Sequence, residues 1–114
     1  MRHERSFRFD WRDDNHVELL IDGVRFYPAM LEAIGAARRH VLFEMYLAES
    51  GVVADRFIAA LAGATARGVV VKLLLDGFGA LGLTDADRAR LTDAGIDLRF
   101  YNPLRPVKGV RNLA

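Results

Sequence analysis

Apolar positions along this chain switch repeatedly between a period of two and a helical period, and the switching predicts a β-α-β-α-β-α-β order. Val17 to Ile21 (VELLI) reads as a short strand closed by an Asp22-Gly23 turn. Pro28 sits near the start of a helix whose Met30, Leu31 and Ile34 share one face, and Arg38 and Arg39 suit its negative carboxyl end. His40 to Leu47 (HVLFEMYL) is the second strand. Its alternation puts Val41, Phe43, Met45 and Leu47 on one side and His40, Leu42, Glu44 and Tyr46 on the other. Asp55 is placed to cap a second helix with Phe57, Ile58, Leu61 and Ala62 as its apolar stripe, ended by Gly68. Val69 to Leu75, apolar except for Lys72, reads as a strand covered on both faces. Thr84 with Asp87 three residues on opens a third helix that stops at Ala94-Gly95, and Asp97 to Tyr101 (DLRFY) is the last strand.

Strands alternating with helices through short connections predict the α/β class, with a largely parallel sheet flanked by helices. Ligands in such sheets bind outside the carboxyl ends of the strands. That rule gathers Glu44 and Tyr46, late in the second strand, with Asp76 and Gly77 at the end of the third and Asn102 at the end of the fourth. Glu44, Tyr46 and Asp76 are therefore the candidate pocket-lining residues, and Glu44 and Asp76 are expected near one another as a potential acid and base pair. A carboxylate on a buried sheet face needs a partner, and Arg99 is a structural alternative for Glu44.

At 114 residues, 52% of them hydrophobic, with 10 Gly and 3 Pro, the chain has the composition of one soluble globular unit. No repeat or internal linker interrupts it; residues 1–12 (MRHERSFRFDWR) stand apart as a basic extension. No apolar run approaches the roughly 18 residues of a membrane span, and no signal-peptide core follows the amino terminus. The expected location is cytoplasmic, peripheral at the membrane surface. The absence of Cys excludes disulfides, thiol catalysis and thiolate metal sites. A formal charge of +1 gives no global attraction to nucleic acid, and none is expected as a partner. After Asp97 there is no acid while Arg99, Arg105, Lys108 and Arg111 follow, a tail that suits phosphate or anionic lipid as well as plain solvent.

Gly77, Gly79 and Gly82 spell G-x-G-x-x-G, the pattern of a dinucleotide site. The match is weak, because the capping signal at Thr84 starts the helix after all three glycines and Asn102 stands where the ribose-binding acid belongs. A tight turn is the simpler use of them. His3 and His16 lie in polar terminal segments and His40 begins a strand; no pair has metal-ligand spacing, and no cofactor or metal is expected. Ser6 and Ser50 lack a nucleophile-elbow context.

From about Phe9 onward, DWRDDNHVELLIDGVRFYPAMLEAIGAARRHVLFEMYLAESG, then RFIAALAGATARGVVVKLLLDGFGALGL, then LTDAGIDLRFYNPLRP resembles the first half of a bacterial cardiolipin synthase of the phospholipase D superfamily. The most telling pieces are Met30 to Glu49, the strand-acid-glycine turn Val71 to Gly79, and AGIDLRFYNP. The resemblance implies a truncated α/β/α sandwich, with residues 13–114 as the amino-terminal part of the domain. It also implies a phosphatidyltransferase acting on phospholipid phosphodiesters, with a phosphatidylglycerol-like substrate at the membrane surface.

Members of that superfamily carry H-x-K-x-x-x-x-D motifs, in which one histidine attacks phosphorus, a second protonates the leaving alcohol, lysines hold the phosphate and no metal is needed. Here the only lysines are Lys72 and Lys108, preceded two places earlier by Val70 and Pro106, so no H-x-K exists and no catalytic residue is assigned. The family's first motif follows shortly after a segment like FYNPLRPVKGVRNLA. The expectation is therefore an incomplete gene product or amino-terminal fragment, inactive by itself. Its alternative is a non-catalytic α/β binding domain.

Overall fold

A computed structural model describes residues 8–103. The elements run α1 (Gly23–Ala36), β1 (His40–Met45), α2 (Val52–Ala66), β2 (Val70–Asp76), α3 (Asp85–Asp93) and β3 (Asp97–Tyr101). The strands form one open parallel sheet in the order β1-β2-β3, with His40 opposite Val70, Leu74 between Glu44 and Arg99, and Asp76 opposite Tyr101. This is the α/β architecture that the periodicity predicts.

The core is a single cluster in which Ile34 of α1, Ile58, Leu61 and Ala64 of α2 and Leu91 of α3 meet Val71, Leu73 and Leu75 of β2. All three helices therefore share one face of the sheet. Aromatic contacts extend the cluster, with Phe57 against Tyr27 and against Phe43. Gly68 and Gly95 take φ of +90° and +93° after α2 and α3, the left-handed turn in which glycine costs least.

Several expectations need correction. Val17 to Ile21 is no strand: it pairs with nothing among the described residues and its Val17 and Leu19 are exposed. The local alternation is there, but a strand exists only through a neighbour's hydrogen bonds. Instead of closing a turn, Asp22 adopts φ 68° and Gly23 opens α1, so Pro28 lies inside the helix rather than near its start. α2 begins at Val52 behind Gly51, which leaves Asp55 in its first turn and not at the cap. The carbonyls at the end of α1 are met by Arg67, whose guanidinium donates to Ile34 and Ala37, in place of Arg38 or Arg39.

β2 is covered on one face only within the described residues, since Val70 and Lys72 are exposed while Val71, Leu73 and Leu75 are buried. The outer face carries His40, Leu42 and Glu44 of β1 and Arg99 and Tyr101 of β3, all exposed. Arg105, Lys108 and Arg111 of the basic tail, with His3 and Ser6, lie outside the described residues.

Candidate functional site

The carboxyl rim of the sheet is built by two loops, 46–51 after β1 and 77–84 after β2, locked against one another. Backbone N–H groups of Ala48 and Ser50 donate to the carbonyls of Gly79 and Gly82, both at 3.0 Å. The glycines make this approach achievable. A Cβ on Gly79 would fall on the Tyr46 carbonyl, and one on Gly82 would lie 2.9 Å from Glu49 Cγ. One on Gly77 would lie 2.5 Å from the carbonyl oxygen of Asn102, just past β3. The G-x-G-x-x-G spacing thus serves packing between neighbouring strand ends. α3 starts only after Thr84, so its amino-terminal N–H groups are not aimed at a cradle formed by these glycines.

Asp76 closes β2 and holds the turn that follows: its Oδ2 accepts from the N–H groups of Phe78 at 3.0 Å and Gly79 at 2.9 Å. Glu44 and Asp76 occupy adjacent strands on the outer face, Glu44 level with Leu74 and Asp76 two residues further toward the rim. Leu74 lies between Glu44 and Arg99 in register, so the two are two strands apart, about 10 Å. The suggested Glu44–Arg99 pair does not form; Arg99 bonds Asp97 at 3.2 Å instead. Glu44 and Tyr46 both stand exposed.

A hydrogen-bonded network missed by sequence reading lies where α2 and α3 begin. Ser50 Oγ donates to Asp87 Oδ2 and accepts from the Thr84 N–H at 2.9 Å, while Thr84 Oγ1 accepts from the Asp87 N–H at 3.1 Å. Arg90 bridges Asp87 Oδ1 at 3.0 Å and Asp55 Oδ1 at 2.9 Å. The Ser50 hydroxyl, and then the Arg90 guanidinium, hold the Asp87 carboxyl below its ordinary value. Only the Thr84-x-x-Asp87 cap hinted at this arrangement from sequence. Nearby, Arg88 donates to the Leu83 and Ala80 carbonyls and lies 4.7 Å from the Phe100 ring centre, stitching the 77–84 loop to β3.

These groups are structural: every hydroxyl and carboxylate of the Ser50 network is engaged with protein, and no imidazole belongs to it. On the covered side of the sheet a cavity of about 420 Å³ opens among Tyr27, Phe43, Met45, Phe57, Leu73 and Leu75. Its walls are mostly apolar, with Glu49 and Ser50 at the loop after β1 among the lining residues. Among the described residues no cluster of three potential metal ligands occurs, and no helix is long and apolar enough to cross a membrane.

Comparison with known proteins adds what the geometry alone lacks. No family model and no solved structure matches the chain. Cardiolipin synthase B of Salmonella typhi is 40% identical over 101 residues, 89% of this chain and 24% of that protein. Cardiolipin synthase B of Escherichia coli K12 is 38% identical over the same shares, and cardiolipin synthase A of Pseudomonas fluorescens is 32% identical over 77% of this chain and 18% of the relative. The chain spans about a quarter of the length of the cardiolipin synthase B proteins it matches. With 38 to 40% identity over 89% of its length, this chain is similar to the bacterial cardiolipin synthases, which are members of the phospholipase D superfamily.

Proposed function

We propose that the chain supplies one α/β portion of a phosphatidyl-transferring enzyme that acts on phospholipid phosphodiesters, peripherally at a membrane. The observation that carries this reading is the identity to cardiolipin synthase B across 89% of the chain. In this reading the rim bearing Glu44, Tyr46 and Asp76 lines the substrate side of the site. A phosphatidylglycerol-like lipid is the substrate.

The chemistry itself comes from elsewhere. A phosphohistidine route needs an imidazole to attack phosphorus and a second acid to protonate the leaving alcohol, with lysine beside the phosphate. No H-x-K occurs in the sequence, and Lys72 lies on the outer sheet face opposite Leu42, with no histidine two places before it. The role of this portion is then to fix the rim loops against which the motif-bearing polypeptide packs.

The test incubates the chain with phosphatidylglycerol in mixed micelles and measures cardiolipin and glycerol. Alongside it runs a chimera in which this chain replaces the matching quarter of cardiolipin synthase B. The expected outcome is turnover by the chimera and none by the chain alone. Turnover by the chain alone, abolished by changing His40 or His16, would relocate the chemistry; a folded but inactive chimera would overturn the assignment.

A further inference from the structure

Among the described residues one charged side chain is buried, and it lies where α3 begins: Asp87, 8% exposed. A buried carboxylate has to regain from protein what it gives up in water, and Asp87 does so from Ser50 and Arg90. The side chain to side chain hydrogen bonds that join distant parts of the described chain all fall at this point, linking Ser50 to Thr84 and Asp87, and Arg90 to Asp55. Elsewhere the helices meet the sheet through apolar side chains. Apolar contact is non-directional and tolerates small slips, whereas hydrogen bonds hold their partners within a narrow range of distance and angle.

From Asp87 the bonds run on to the sheet. Ser50 Oγ donates to Asp87 and accepts from the Thr84 N–H, which ties the end of the 46–51 loop to the start of α3. Two residues back, the Ala48 N–H donates to the Gly79 carbonyl at 3.0 Å, and the Gly79 N–H donates to Asp76 Oδ2 at 2.9 Å. Gly79 also abuts the Tyr46 carbonyl, so closely that a Cβ would not fit. The placement of Tyr46 and Asp76 at the rim is thus referred back, through one unbroken series of contacts, to the Ser50 hydroxyl and the helix that grips it. Ser50 and Asp87 are fully engaged with protein, so their influence on a substrate would pass through the loops they hold.

We propose that Ser50 is a positioning residue for phosphatidyl transfer, its hydroxyl setting where Tyr46 and Asp76 stand, an inference that rests on the rim being the substrate side of the enzyme. Loss of the hydroxyl leaves Asp87 without a donor and the Thr84 N–H without an acceptor. The 46–51 loop then shifts against α3 and carries the rim groups away from the phosphodiester. Misplacement by about 1 Å costs up to about 100-fold in rate.

The test places substitutions in the cardiolipin synthase B chimera and measures cardiolipin formed from phosphatidylglycerol in mixed micelles, with rates expressed per folded molecule from the unfolding curve. Ser50→Ala should lower kcat by about tenfold or more with KM within about twofold of the unsubstituted chimera, because the lipid still binds while the rim no longer aligns it. Ser50→Thr, which keeps the hydroxyl, should retain most of the rate. Asp87→Asn keeps an acceptor for Ser50 and gives up the charge that Arg90 grips, and should fall between the two. Ile34→Ala opens the core beside the start of β1, at the opposite end of the sheet; it should lower the unfolding midpoint and leave kcat per folded molecule unchanged. Ser50→Ala as fast as the unsubstituted chimera, a loss as large in Ser50→Thr as in Ser50→Ala, or an equal loss from Ile34→Ala would each overturn the proposal. If Ser50→Ala does not fold, a folded Asp87→Asn at the unsubstituted rate overturns it. A folded chimera inactive before any substitution instead overturns the assignment of the chain to the enzyme, so the two failures are distinct.

Discussion

Gly79→Ala tests the interlocked rim directly. The glycine has an ordinary backbone conformation, so alanine there meets no φ penalty and any cost is steric. Its Cβ would sit on the Tyr46 carbonyl, 2.8 Å from that residue's carbonyl carbon and 3.3 Å from Cδ1 of its ring. A tolerable carbon–oxygen contact wants roughly 3.3 Å, so the two loops must part by about 1 Å. That movement stretches the Ala48 to Gly79 hydrogen bond from 3.0 Å beyond a useful length and pulls the Gly79 N–H, now 2.9 Å away, from Asp76. Two hydrogen bonds at about 0.5 to 1.5 kcal/mol each, with about 1 to 3 kcal/mol of overpacking, outweigh the 0.4 to 1 kcal/mol or so gained by stiffening the unfolded chain. A net loss of about 2 to 4 kcal/mol is expected, read as a lowered urea midpoint in far-ultraviolet circular dichroism. Gly35→Ala is the control: it lies within α1 with nothing inside 4 Å of the new Cβ, and should raise stability by about 0.5 to 1 kcal/mol. If Gly79→Ala stays within about 0.5 kcal/mol of wild type, the loops are not in contact and the account of the glycines fails.

Three further outcomes are expected. Leu91→Ala, at the centre of the core with 2% exposure, should cost about 2 to 5 kcal/mol by the same unfolding assay. Because the Asp87 carboxyl is depressed in the folded state, its contribution is present above the ordinary aspartate value of 3.8 and is lost as pH falls through the depressed one. The gap in thermal midpoint between wild type and Asp87→Asn should accordingly be constant from neutral pH to about 5 and close below 4. Arg88→Ala leaves the Leu83 and Ala80 carbonyls without their donor and Phe100 without its cation, and should cost about 1 to 3 kcal/mol, with Arg88→Lys failing to restore it.

Three strands and their order are legible in the sequence because each carries its own period: His40–Met45, Val70–Asp76 and Asp97–Tyr101 fall within two residues of the reading. Val17 to Ile21 carries the same signal and is not a strand in this structure, which shows where local pattern stops. Pairing is a property of two segments. The uncovered face of β2 has a related cause, since Val70 and Leu74 make the run continuously apolar and periodicity cannot say what, if anything, lies over them. At the rim, Asp76 was readable as the residue that ends a strand before glycines. Ser50, Asp87, Arg90 and Asp55 were not, because they come from one loop and two helices and meet only after folding.

The strand order has a further consequence. Every ladder in this sheet joins a strand to the next one along the chain, with partners such as His40 and Val70 some 30 residues apart. Among the described residues no strand waits for a distant partner to be inserted between its neighbours, so the entropy of loop closure is met in modest instalments. On a ribosome β1 and β2 can zip together around α2 before β3 has emerged, and the glycine-spaced rim then latches the first two strand ends while the third is still being made.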